Sequence, residues 1–430
     1  MVTHLLLIMR MLQLGSKKHM TIIEFFDKAA IENIAGALLC APQQVILVGD
    51  KRKQLERTKS LYQSILVKNN IPTEISYRSV NKNNLQDIIS ALEQIVEECE
   101  DCVFDLTGGE ELYLVAVGAI MERYKGRVQC HRFNFRNDML NDCDADGNVC
   151  GTKPFDISIE DNVNIYGGEI VMDSQREIYT YPWNFSSEFE HDIDAMWDIC
   201  RKNTRLWNAH VGTLGAICEL FDMQDTLSVS FEEDLAMSIL KQKGINFVCV
   251  AWIMYELQKH GLIQSLVMQD TVSFVFKNEQ VKQCLTIAGQ ILELAVAKTM
   301  RSIKDKNGAP LYHDVKVGVV IDWDRAEENE EYRTINEIDV VAMKGSIPIF
   351  ISCKNGDFDA NELYKLNTVA EHFGNKYSKK VLISTELDKL GEKSDYIRAR
   401  MDDMGIRSVE NVDEMNDSEL ERVLRSLWSN

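Results

Sequence analysis

Between Thr21 and Phe135 the chain repeats one pattern: a short apolar run, a turn, then an amphipathic stretch of ten or more residues. TIIEFF, QVILVGD, TEISYRSV, CVFDLTGG and VQCHRFNF read as strands. Ala30 to Leu39, LERTKSLYQSILVKN, LQDIISALEQIVEEC and ELYLVAVGAIMERY read as the helices between them. Strands joined through such helices pair in parallel, and their crossovers are right-handed. The pattern therefore predicts a Rossmann-like parallel sheet over residues 20–136.

Residues 137–278 have a different texture. DCDADGN and YGGE are turn signals, and they predict an irregular connector or a small β element between Asn137 and Asn184. From Ser187 the chain turns helical, and EEDLAMSILKQKG, FVCVAWIMYELQKHG and LIQSLVMQDTVSFVFKN read as helix, helix and β-hairpin. That order suits a winged-helix-like module. Its cations are sparse, which favours a structural spacer over a DNA reader. Residues 279–430 open on one helix, QVKQCLTIAGQILELAVAKTMRSI, and continue as strands VKVGVVIDWD, INEIDVVAMKG and IPIFISCKNG. A helix through NELYKLNTVAEHFG, the strand KKVLISTE and a helix from Ser394 to Asp403 follow. The whole reads as two α/β domains flanking a helical middle.

Charge and cysteine content narrow the partners. Lys and Arg number 47 against 67 Asp and Glu, a net charge of −20, which excludes a generic basic nucleic-acid binder but allows a basic groove. The 11 cysteines are scattered and odd in number, as expected in a reducing cytoplasm. Cys99 and Cys102 form one C-x-x-C without a second pair at zinc-ribbon spacing, and read as packing. The start MVTHLLLIMRMLQLG is broken by Arg10 and too short to span a bilayer, so residues 1–19 read as an upstream extension ahead of Met20. No membrane partner is expected.

Two constellations carry chemistry. The first is the rim of the N-terminal sheet. Thr107, Gly108 and Gly109 follow a buried strand and precede a helix, where ligands of open α/β sheets bind. Gly49, Asp50 and Lys51 end a second strand, and Asp27 follows the first. Two glycines in a row also serve a plain tight turn, but three polar strand ends on one rim favour a nucleotide-like ligand. The dinucleotide fingerprint G-x-G-x-x-G is missing after the first strand, which argues against a dehydrogenase. The second constellation is in the C-terminal domain. Asp339 lies in one strand, Lys354 ends the next, and the turn between them can bring both to one face. The Asp339 carboxylate and the Cys353 carbonyl suit Mg²⁺ or Mn²⁺, with further oxygens from Glu293 and Glu362. Lys354 closing the apolar run PIFISC is unusual, since buried lysines need a partner or a role.

EFFDKAAIENI, VILVGD and FDLTGG resemble the CARF domain, the cyclic-oligoadenylate sensor of type III CRISPR systems. GQILEL, NEIDVV, SCK and ELYKL resemble the PD-(D/E)XK nuclease domain of the CARF ancillary nucleases. The resemblance runs from Met20 onward. It implies that Asp339 and Glu293 bind metal, that Lys354 is the catalytic lysine and that Thr107, Gly108 and Gly109 touch the activator. It implies cytoplasmic antiviral defence by a homodimer. A cyclic tetra- or hexa-adenylate, with the tetra-adenylate favoured, would switch on metal-dependent cleavage of DNA or RNA. One position departs from the pattern. The (D/E)-x-K acid is Ser352, which cannot supply a charged ligand. The expected substitute is Glu362, and the alternative is an inactive receptor that binds nucleic acid or a partner through the winged-helix-like middle.

Overall fold

The computed structural model describes residues 20–144, 146–323 and 334–428. The upstream extension at 1–19 lies outside the described residues. The chain divides into two compact units. One runs to residue 169 and includes the segments 345–347 and 375–377; the other holds 170–344, 348–374 and the rest of the C-terminal part. Among the described residues, no helix is long and apolar enough to cross a membrane.

The first unit is built on β1 (Met20–Phe25), β2 (Gln44–Gly49), β3 (Glu74–Ser79), β4 (Asp101–Asp105) and β5 (Val128–Asn134). All five pair in parallel, and β6 (Met139–Cys143) and β7 (Val149–Pro154) extend the sheet antiparallel in the order β3-β2-β1-β4-β5-β6-β7. Of the two expectations for this stretch, an irregular connector or a small β element, the second holds: it supplies β6 and the edge strand β7. Its turn signals remain true, since Asp144, Gly147 and Asn148 form the tight turn between these strands. One face of the sheet is covered by helices Leu85–Glu98 and Glu111–Arg123, which bury Ile88, Leu92, Ile95, Ala116, Val117 and Ile120. Each large aliphatic side chain so buried contributes roughly 1.5–3 kcal/mol. Asn84 starts the first of these helices by accepting from the Gln86 and Asp87 amides. The predicted helix Ala30–Leu39 is split into a 3₁₀ turn, Ala30–Asn33, and a short α-helix, Ala35–Cys40.

Strand order reverses between β1 and β4, so the loops after these strands diverge and leave a crevice at their carboxyl ends. Asp27 follows β1 and the Thr107–Gly109 loop follows β4. The topology alone sets both on that crevice.

β8 (Glu169–Ile170) falls at the division, and the second unit continues with helices Ser187–Cys200 and Thr204–Leu220. Then come β9 (Ser228–Glu232), helices Glu233–Gln242 and Ala251–Lys259, β10 (Ile263–Met268) and β11 (Thr271–Phe276). The three strands pair as β10-β11-β9, giving the expected winged-helix order. The long helix expected over 280–303 is two helices, Glu279–Thr286 and Gln290–Ser302. Gly289, at φ 93°, lets the chain turn between them. A second sheet contains β12 (Asp314–Asp322), β13 (Ile335–Lys344), β14 (Ile347–Lys354), β15 (Lys379–Ser384) and β16 (Ile406–Val409), in the order β16-β15-β14-β13-β12-β8. Helices Asn361–Phe373, Glu392–Met404 and Asp417–Ser426 complete the unit. One apolar core joins the middle helices, through Trp197 and Trp207, to Val340, Ile349 and Ile351 of this sheet.

Candidate functional site

The C-terminal constellation forms where β13, β14 and two helix starts meet. Asp339 projects from β13 and accepts from three groups on β14. These are the Ser352 hydroxyl at 3.1 Å, the Cys353 amide at 2.6 Å and the Lys354 ammonium at 3.4 Å. Lys354 also pairs with Glu362 at 2.9 Å, so the ammonium lies between two carboxylates. Glu362 sits in the first turn of helix Asn361–Phe373, and Lys365 holds its other oxygen at 2.8 Å. Glu293 occupies the first turn of helix Gln290–Ser302, where Gln290 donates to it at 2.8 Å. The helix break at Gly289 is what gives Glu293 this position. It also lets the N-terminal end of the dipole favour the acid.

Electrostatics follow from this crowding. Burial pushes the Glu293 carboxyl well above its ordinary range, and the neighbouring charges of Asp339 and Glu337 push it further. Glu337 is raised for the same reasons, burial first and Asp339 second. Burial works against the Lys354 charge, but Asp339 and Glu362 outweigh it and hold its pKa up at about 12. Lys354 therefore remains a cation throughout the neutral range. Glu293, Glu337 and Asp339 repel one another beside a single ammonium, that of Lys354, so the site gains from an added divalent cation with oxygen ligands. Asp339, Glu293 and Glu337 supply the acidic oxygens that suit Mg²⁺ or Mn²⁺, but among the described residues no three acids of this site bring their carboxylate oxygens within 4.8 Å of one another.

The structure brings together Asp339, Cys353, Lys354, Glu293 and Glu362 as the sequence suggested. Glu362 faces Lys354 and Lys365, and Cys353 gives Asp339 its backbone N–H. Sequence reasoning missed Glu337. Its signal was the period of two along NEIDVV, which places Glu337 on the same face of β13 as Asp339. It also missed Asn355, whose amide donates to the Asn208 side chain at 2.9 Å and whose carbonyl oxygen accepts from Thr385 at 3.2 Å. These contacts tie the end of β14, beside Lys354, to helix Thr204–Leu220.

The N-terminal rim is equally specific. The Thr107 amide donates to Asp105 at 2.7 Å, and the Thr107 hydroxyl accepts from the Phe133 amide at 2.8 Å. That hydroxyl keeps its own proton to donate outward. The Gly109 amide donates to Asp27 at 3.3 Å, linking the two loops of the crevice. Gly109 has φ 95°, and a Cβ there would lie 2.7 Å from the Phe25 Cβ, so both conformation and space require glycine. Gly108 is close-packed as well, with Asp27 3.0 Å from where its Cβ would be. Gly49 packs against Leu55 and Phe26, which makes it a packing glycine at the end of β2. Asp50 and Lys51 follow it at the start of helix Arg52–Lys68.

Comparison with known proteins gives a family for the C-terminal part and a fold for the chain. Residues 280–426 match the family described as the Card1-like endonuclease domain. No curated protein matches the chain. Protein VC1899 from Vibrio cholerae is similar in structure, with a TM-score of 0.68 at 18% identity, covering 95% of this chain and 97% of that one. Can2 from Sulfobacillus thermosulfidooxidans, solved with cyclic tetra-adenylate, has a TM-score of 0.63 at 16% identity, covering 96% of this chain and 100% of that one. The C-terminal part of the chain thus matches a Card1-like endonuclease domain, within a chain that shares its fold almost end to end with VC1899 and Can2.

Proposed function

We propose that this chain is a cyclic-oligoadenylate-activated, metal-dependent nuclease of type III CRISPR defence. The observation that carries the reading is the Asp339–Lys354–Glu362 chain of ion pairs, with Glu293 and Glu337 beside it, inside the segment that matches an endonuclease domain. The arrangement is that of a PD-(D/E)XK site with serine at the usual acid position. Mg²⁺ or Mn²⁺, when bound, supplies Lewis-acid stabilisation of the scissile phosphate. Asp339 and Glu293 would hold it, oriented by the Cys353 amide and by Gln290, with Glu337 and Glu362 as the further acids beside them. Lys354, permanently charged, donates to a phosphate oxygen as negative charge builds there. Water adds to phosphorus and gives up one proton to solvent, the bridging P–O bond breaks, and the departing oxygen takes one proton from solvent.

The activator site is the β1–β4 crevice, with Thr107, Gly108 and Gly109 against ribose and phosphate and Asp27, Asp50 and Lys51 on its rim. A symmetric ring suits a two-fold homodimer, in which each copy offers the same loops to half the ligand. Leu114 and Val115, exposed on the helix after the ligand loop, give a second copy apolar surface to cover. In a cytoplasmic cell extract such an enzyme stays quiet until activator appears. The test is cleavage of DNA and RNA by the purified chain in Mn²⁺, with and without cyclic tetra-adenylate, beside Asp339→Asn. Ser352 and the engagement of Glu362 by two lysines favour a second reading, a receptor without cleavage. Activator binding with no cleavage in any metal would select it.

A further inference from the structure

A sealed cluster beneath the ligand loop is not used by the cleavage chemistry. Glu24 lies in β1, Asp105 ends β4 and His131 lies in β5. Asp105 pairs in register with His131, and Glu24 follows the Ile23–Phe104 pair by one step, so the three side chains form a row across neighbouring strands. Their exposures are 0% for Glu24 and 1% for both Asp105 and His131. His131 Nε2 is 3.0 Å from Asp105 Oδ2, and one donor atom from each residue lies within 4.8 Å of the others. Neither Glu24 oxygen has a hydrogen-bond partner among the described residues. Gly36 packs directly over the cluster: a Cβ there would fall 2.8 Å from His131 Nε2 and 3.1 Å from Asp105 Oδ2.

Two carboxylates buried side by side cost several kcal/mol each unless something neutralises them. Imidazolium at His131 can balance Asp105 and a proton can balance Glu24. A divalent cation that displaces both protons balances the two carboxylates instead, and neutral imidazole plus two carboxylate oxygens is a donor set that zinc takes. Ca²⁺ needs six to eight oxygens and Mg²⁺ keeps several waters, and this dry site offers neither. Two donors each ~2.1 Å from one ion lie roughly 3.0–3.4 Å apart at angles of about 90–109°, which matches the His131–Asp105 spacing. We propose that Glu24, Asp105 and His131 bind one buried zinc ion that fixes the base of the Thr107–Gly109 loop. The link to the loop is the free oxygen of Asp105, which accepts from the Thr107 amide.

The experiment is independent of activator and cleavage. The full-length Asp339→Asn chain, which lacks the C-terminal metal acid, is loaded with zinc chloride, gel-filtered and analysed for metal by mass spectrometry. The expected result is about one zinc per chain, lost when Glu24→Gln or His131→Gln is added, with a melting temperature that falls on chelation and recovers on zinc return. Cobalt loading should give visible absorption bands that Glu24→Gln removes. Glu24→Gln is nearly isosteric, so it keeps the test valid if His131→Gln does not fold. Absence of bound zinc after loading would overturn the proposal and leave protons on Glu24 and His131 as the source of neutrality. Zinc retained in Glu24→Gln would overturn it as well.

Discussion

The two units each gather acids around a single basic group, with opposite results. In the C-terminal site Asp339 and Lys354 keep 18% and 19% of their side-chain surface, so a phosphodiester can reach them. In the N-terminal cluster Asp105 and His131 keep 1% each, and no polymer can approach. The same ingredients serve chemistry where a strand end is open and architecture where neighbouring strands and Gly36 close it. The difference arises from topology. Lys354 ends an inner strand of its sheet, whereas Glu24 lies within β1, in the middle of a sheet covered by helices.

The strongest way to separate the two units is to disable one. Asp339→Asn should reduce activated cleavage by about 10²–10³-fold or more, while leaving cyclic tetra-adenylate affinity by calorimetry unchanged. A parallel loss of binding would mean that the units are not separable in this way. Glu362→Gln should lower cleavage about 10- to 100-fold. Ser352→Glu in the same chain should restore part of it, because the usual acid is returned beside Lys354. Without rescue, Glu362 would serve only as the partner that holds Lys354.

A third change acts on the other unit. Gly109→Ala forces a side chain into φ 95° against Phe25, a strain of about 1–3 kcal/mol. Activator affinity should fall roughly tenfold, with unactivated cleavage and the melting curve of the C-terminal unit unaltered. Unchanged affinity would move the ligand away from the β1–β4 crevice.

The smallest effect concerns the stability of the open site. The raised carboxyl pKa of Glu293 means that the folded state holds its proton more tightly than the unfolded chain does. Its contribution is therefore most favourable below the ordinary carboxylate range and is lost as pH rises through the folded value. Metal-free Glu293→Gln should melt about 2–4 °C higher than wild type at pH 8. The gap should close toward pH 4, and cleavage should fall. A variant less stable at pH 8 would contradict the crowding described for Glu293, Glu337 and Asp339.

Most of this layout could be read in the sequence because it is carried by local periodicity. The five parallel strands and their crossovers follow apolar runs and amphipathic stretches of ordinary length. Asp339 and Lys354 stood out because charge is rare at the ends of buried strands. A small β element was one of two expectations for β6 and β7; the sequence did not settle it because β7, Val149–Pro154, is largely exposed and polar, where partners on the sheet edge matter more than propensity. Gly289 looked like a tolerated helix glycine until the chain turned there. The Glu24–Asp105–His131 row depends on register across strands far apart in sequence. Its only local trace is an acid inside TIIEFF, a run that is otherwise apolar.

The central claim is that ligand binding in one unit governs cleavage in the other. The most direct measurement is the initial rate of cleavage of labelled DNA and RNA in Mn²⁺, with cyclic tetra-adenylate titrated from zero, for wild type and Asp339→Asn. The account predicts a wild-type rate that rises at least about tenfold and saturates with activator, and no rise in Asp339→Asn. A wild-type rate independent of the ligand, or equal cleavage by Asp339→Asn, would contradict it.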